Sequence, residues 1–255
     1  MEHNKYHHYY LNEKKDPDFV QANILKGGYL EQTNIARLFF NILSITTWRW
    51  SFYCINTYKV LHNNSISVES EKDDNVCTLF TLFQKPLVFI LNVMRKVFLP
   101  YLALWYFVLP MITGSFFSCP MWDIYKKLII IEILTNVYTF SIIVTNHCGS
   151  DLYQFKNSYN RDTAGFVLHA ILGSVNYDYG TDFIDFLHGY LNYQIEHHMF
   201  PDLSCLEYQL LAPKVRKICR DHGVPYLKES VLFRFIKTFR VMMTWDTMKV
   251  YEDRQ

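Results

Sequence analysis

The run VFLPYLALWYFVLPMITGSFF, residues 97–117, is 21 residues long and carries no charge. At a rise of about 1.5 Å per residue it reaches about 30 Å, the thickness of a bilayer's hydrocarbon core. A second apolar run, residues 128–145, has Glu132 as its one charged residue. The link Ser118–Lys127 contains Pro120 and Asp123. The two runs are therefore expected to cross the membrane as an antiparallel hairpin, with Pro100 and Pro110 taken up as kinks. One hairpin returns the chain to the side it left.

Upstream, residues 34–58 are apolar but broken by Asn34, Arg37, Asn41, Arg49 and Asn56. A lipid-facing span tolerates such residues poorly, so an interfacial helix with these groups on its wet face is expected. Residues 62–75 read as a solvated loop. In the polar first 33 residues, the run Glu13–Asp18 and the pair Gly27-Gly28 read as a helix end passing into loop. Downstream of Asn146 the chain is polar, and residues 206–222 pattern as an amphipathic helix ending at Gly223. The expected fold class is all-α: an integral membrane helical protein with a transmembrane hairpin and a histidine-rich helical cap.

Composition agrees. Half of the residues are apolar and 17% aromatic, yet the mean hydropathy is near zero, so strongly apolar stretches alternate with strongly polar ones. The formal net charge of +1 offers no single-sign field for nucleic acid. The six cysteines form no CxxC pair and read as free thiols. Met1-Glu2-His3-Asn4-Lys5 contains no apolar signal core, so insertion is expected to rely on internal segments. Arg95 and Lys96 flank one end of the hairpin and Lys126 and Lys127 its turn; the basic content of the remainder favours both tails in the cytosol.

Two histidine clusters carry the chemistry: His3-Asn4-Lys5-Tyr6-His7-His8 and Gln194-Ile195-Glu196-His197-His198. On a helix, His3 and His7 at i and i+4 share a face while His8 points about 100° away, so adjacent histidines are able to serve different ions. The second cluster repeats this with an amide, Gln194, ahead of a histidine pair. The hairpin between them carries both clusters to one face of the bilayer. Imidazole donors without a cysteine motif leave iron, zinc, copper and nickel open, and the absence of HExxH argues against a helical zinc-protease site.

Quoted with their spacing, His3-Asn4-x-x-His7-His8-x-x-x-Asn12-x-x-x-Asp16-Pro17-Asp18 and Leu191-Asn192-x-Gln194-Ile195-Glu196-His197-His198-x-Phe200-Pro201 resemble the second and third histidine boxes of membrane fatty-acid desaturases. The QxxHH form resembles the front-end acyl-lipid and sphingolipid types. Asn146-His147, His188-Gly189, Ala212-Pro213-Lys214-Val215 and Gly223-Val224-Pro225-Tyr226 extend the similarity. The family's first box, an HxxxH cluster, has no counterpart here, nor does the HPGG stretch of a fused cytochrome-b5-type domain, and Leu11 stands where relatives often have threonine.

The resemblance implies the C-terminal part of a single desaturase domain over 1–255, with 34–58 interfacial, 97–117 and 128–145 transmembrane, and 146–255 the cytosolic third-box region. It implies two iron ions held by His3, His7, His8, His147, His197, His198 and Gln194. Asp16, Asp18, Glu196, His188 and Asn146 would support them, the carboxylates by accepting hydrogen bonds from imidazole. Molecular oxygen and electrons from a cytochrome-b5-type or ferredoxin-type donor complete the chemistry. The implied substrate is a fatty-acyl lipid or acyl-CoA, and the implied location a multi-pass membrane protein, of the endoplasmic reticulum if eukaryotic, with the clusters facing the cytosol. His169, on an apolar stretch, reads as a core histidine, and His62 and His222 as solvent-facing. A fatty-acyl or sterol hydroxylase, a metal transporter and a non-catalytic remnant are the rival readings; the spans' lack of His and Asp counts against a transporter.

Overall fold

A computed structural model describes residues 7–16, 18–26, 32–65, 79–161 and 163–252. His3, Asn4 and Pro17 of the motifs, and residues 66–75 of the expected loop, lie outside the described residues. The chain divides into two compact units, Met1–Leu38 with Thr139–Gln255, and Phe39–Tyr138.

Helix α1 is Val20–Lys26 and α2 is Asn34–Thr46; a π-turn at Arg49–Tyr53 leads into α3, Cys54–Ser65. The wet-face expectation for 34–58 fails at two positions. Asn41 and Asn56 are buried, whereas Ile35 and Phe39 are 82% and 62% exposed. Two amides thus turn inward on these helices while large apolar side chains face outward.

Helix α4 runs from Leu87 to Phe117, 31 residues, and is the one helix among the described residues long and apolar enough to cross a membrane. It begins ten residues ahead of the charge-free run and includes Arg95 and Lys96. The prolines are accommodated by widened turns: π-turns at Met94–Phe98 and Leu104–Val108 precede Pro100 and Pro110. A proline ring crowds the carbonyl four residues back and donates nothing to it, and a wider turn relieves that crowding. Helix α5, Met121–Ile143, covers the second apolar run as far as Ile143, two residues short of the expected Thr145.

Within the Phe39–Tyr138 unit, Glu132 organises the polar atoms. It accepts from Trp50 Nε1, from the Tyr101 hydroxyl and, at 3.1 Å, from Asn136 Nδ2, while Arg49 approaches to 3.8 Å. A carboxylate in an apolar setting is tolerated when it is so partnered. Ile55, Leu82 and Val93 form the apolar centre of the unit.

The other unit holds α6 (Ala164–Gly173), α7 (Asp182–Leu187), α8 (Gln194–Met199), α9 (Cys205–Asp221) and α10 (Val231–Met242). Side chains of Thr163, Thr181, Ser204 and Ser230 cap four of these starts. Ser204 and Glu207 form a reciprocal capping box, which fixes the predicted 206–222 helix one residue earlier. The all-α expectation needs amending. Two parallel strand pairs are present, β1 (Tyr153–Phe155) with β4 (Lys249–Tyr251) and β2 (Asn176–Tyr177) with β3 (Lys228–Glu229). Phe19, Cys148, Leu152, Val175, Val241 and Met248 make one core cluster; Ile171, Ile195, Val215 and Cys219 make another, behind α8.

Candidate metal centre

His7 and His8 lie in a chain of turns, not on the helix assumed for the first cluster. Asp16 shapes it. Its carboxylate accepts from the backbone N–H of Asn12 (2.9 Å) and of Asp18 (2.9 Å) and bonds His7 Nδ1 at 3.0 Å. Asn12, at φ +54°, donates through Nδ2 to the carbonyls of Gly173 (2.8 Å) and Tyr153 (3.2 Å). His169 bonds the Leu11 carbonyl through Nε2 and packs its ring, tilted, against Phe155, the core role expected of it. A Cβ on Gly173 would come within 2.9 Å of Leu11 Cδ2, so the loop and α6 pack closely there.

The second cluster is set by a different carboxylate. Asp185 accepts from Asn192 Nδ2 (2.9 Å), the Tyr193 hydroxyl (2.6 Å) and Gln209 Nε2 (2.7 Å), fixing the entry to α8. Asn176 accepts from the Ile195 N–H (2.8 Å) and donates to Glu196 (2.7 Å). Gln194 and His198, at i and i+4, share one face of α8, and His197 points elsewhere.

These elements bring five histidines together. His7 Nε2 lies 3.4 Å from His147 Nε2, which lies 3.5 Å from His198 Nε2; the Gln194 amide nitrogen is 2.9 Å from His147 Nε2 and 3.2 Å from His198 Nε2. His8 stands beside them, its ring 4.5 Å from the rings of His197 and of His198. His7, His8, His147, His198 and Gln194 are buried.

Hydrogen bonds set the ring orientations. Asp16 takes the Nδ1 proton of His7, which directs the Nε2 lone pair to the cluster. The Tyr208 hydroxyl donates to the Phe200 carbonyl (2.9 Å) and so accepts from His197 Nδ1 (3.2 Å), presenting His197 Nε2 in the same way. Burial, reinforced by neighbouring imidazoles, holds the His198 pKa well below its ordinary value and His197 at about 4. Burial also opposes charge on His7, but Asp16, by charge and hydrogen bond, and Asp18 raise its pKa. Asp18 itself is pushed up to about 6 by burial, against the pull of His7.

This donor set fits a metal ion. Imidazole nitrogens about 2.1 Å from one first-row ion stand roughly 3.0 to 3.4 Å apart, close to the observed spacings. Gln194 Oε1 is buried without a hydrogen-bond partner among the described residues, and turning the amide over would aim it at the point the Nε2 atoms share. Histidines 7, 147 and 198 would hold one ion with Gln194. His8 and His197 would begin a second position.

Other expected residues fall elsewhere. Glu196 accepts from Asn176 and from the Tyr226 hydroxyl (2.8 Å), in place of the imidazole expected. His188 caps the end of α7, its Nδ1 2.7 Å from the Ile184 carbonyl, and the following Gly189 takes φ +59°. Asn146 is buried beside His147, and neither side-chain polar atom has a hydrogen-bond partner among the described residues. Sequence reasoning missed Asn176, Asp185, Tyr208 and Arg234, none of which belongs to a histidine motif.

Comparison with protein families matches Fatty acid desaturase over residues 2–230. Among curated proteins, the NADPH-dependent stearoyl-CoA 9-desaturase of Mycobacterium tuberculosis (strain CDC 1551 / Oshkosh) is 29% identical over 109 residues, covering 42% of this chain and 25% of the relative. The Delta(5) fatty acid desaturase fat-4 of Caenorhabditis elegans is 28% identical over 131 residues, 50% of this chain and 28% of the relative. The fatty acid desaturase 2-like protein FADS2B of Mus musculus is 42% identical over 53 residues, 21% and 11% of the two chains. The matches thus span between 11% and 28% of these relatives' lengths. No solved structure matches.

Proposed function

The chain belongs to the fatty acid desaturase family, and on that premise we propose that it forms part of an iron centre for oxygen-dependent desaturation of a fatty-acyl chain. The observation that carries this is the convergence of His7, His147 and His198 Nε2 with the Gln194 amide. When bound, two irons with molecular oxygen would supply the oxidising power to remove two hydrogens from an unactivated methylene pair, with electrons from a cytochrome-b5-type or ferredoxin-type donor protein. The protein's own part is to keep His7 in one tautomer through Asp16, hold His197 through Tyr208, and keep water from the buried cluster.

The QxxHH form supports a front-end reaction, and the mycobacterial and nematode relatives, named for stearoyl-CoA and for a Delta(5) position, support an acyl-CoA or acyl-lipid substrate. Joined to a desaturase segment that supplies an HxxxH cluster and expressed in yeast fed candidate fatty acids, the chain is expected to yield a product two mass units lighter. A product sixteen units heavier would establish a hydroxylase instead.

For the domain layout we propose that 34–58 lies at the interface, 97–117 and 128–145 cross the bilayer, and 146–255 is cytosolic, in the endoplasmic reticulum membrane if the source is eukaryotic. The support is α4 and the need for both clusters to share a side. Glycosylation tags inserted near His8 and near Pro201 are both expected to stay unmodified; modification of either rejects this topology.

A further inference from the structure

We propose that Arg234 is a positioning residue that fixes His147 in the metal centre; the inference rests on the metal-binding reading above. His147 is not on a helix. It sits in the turn after α5, and a turn needs something to hold it. Arg234, on α10, is fully buried and spans this turn with one guanidinium. Its Nε donates to the Thr145 carbonyl (3.3 Å) and Nη2 to the Cys148 carbonyl (2.8 Å), the residues on either side of Asn146-His147. Nη1 binds both Asp151 oxygens, at 2.7 and 2.8 Å, and reaches Glu229 at 3.4 Å. Lys237 bonds Asp151 and Glu229 at 2.8 Å each, closing the ion network.

Thr238, one turn along α10, donates to the Cys148 carbonyl as well (2.9 Å). Gly149 completes the device, because a Cβ there would come within 2.5 Å of Arg234 Nη2 and 2.8 Å of Asp151 Oδ1. A planar fork can satisfy two carbonyls and a carboxylate together; a lysine ammonium is a single point and cannot. The turn geometry, and so the approach of His147 Nε2 to His7 and His198, depends on that fork. Nothing in the histidine motifs encodes it.

The test titrates Co2+ into the whole 255-residue chain in detergent, followed by visible absorption, with helical circular dichroism as the check on folding. Arg234→Lys, Thr238→Val and Gly149→Ala are each expected to stay helical, bind Co2+ on the order of 10- to 100-fold more weakly, and shift the cobalt bands as an imidazole is withdrawn. Arg240→Ala, on the same helix but in an exposed pair with Asp246, should leave both readouts unchanged. If Arg234→Lys does not fold, Thr238→Val and Gly149→Ala decide. Folded variants with wild-type affinity and bands overturn the positioning role and leave the metal reading standing. A wild-type chain that takes up no Co2+ overturns the metal reading and this inference with it.

Discussion

Replacing His198 with alanine is expected to weaken metal binding by roughly 100-fold or more, which at ordinary concentrations leaves the purified chain without metal. His198 is central to both groups of imidazoles. Its ring lies 5.0 Å from His7 and 4.8 Å from His147, and 4.5 Å from His8. Its loss therefore removes one of three nitrogens from the first position and opens the wall between the two. Alanine keeps α8 helical, since the entry to that helix is held by Asp185 and Asn176 and not by His198. His222→Ala, at the end of α9, is the control and should retain metal. The measurement is metal content and affinity of the two variants beside wild type; retention of metal by His198→Ala would show that this cluster does not hold it.

The second large effect concerns activity. Expressed alone, this chain is expected to make no unsaturated product. Three imidazoles and an amide converge on the first position, whereas His8 and His197 are the imidazoles that the described residues leave for a second. Even with His3, which lies outside the described residues, the second ion would have few imidazoles from this chain and would leave its remaining positions to water, and an oxidant open to water is lost before it meets a methylene. Gas chromatography of total lipids from yeast fed candidate fatty acids reads the result. A new double bond that disappears in the His197→Ala variant would show that the chain suffices by itself.

The meeting of the two histidine clusters was legible in their matching pattern: His7 and His8 lie against His197 and His198, with Gln194 beside His198. His169 was legible as a core residue from its apolar neighbours, and α9 from its periodicity and the Gly223 stop. What was not legible is long-range. Arg234 acts on carbonyls more than eighty residues earlier, and Asn176 on a helix start nineteen residues later; neither pairing leaves a periodic trace. Glu196 looked like an imidazole partner because it sits beside two histidines in sequence, but the helix turns its carboxylate to Asn176 and Tyr226. The strand pairs are two and three residues long, too short for alternation to register. Asn41 and Asn56 were placed in water because they are polar, whereas the folded chain buries both.

The proposed iron lies among His7, His147, His198 and Gln194. X-ray absorption at the iron edge, on protein purified without added metal, tests it most directly. Bound iron is expected, with a shell of nitrogen and oxygen neighbours, the outer-shell scattering of imidazole rings, and no sulfur. Stoichiometric zinc with no iron, or a sulfur neighbour in the iron shell, would contradict it.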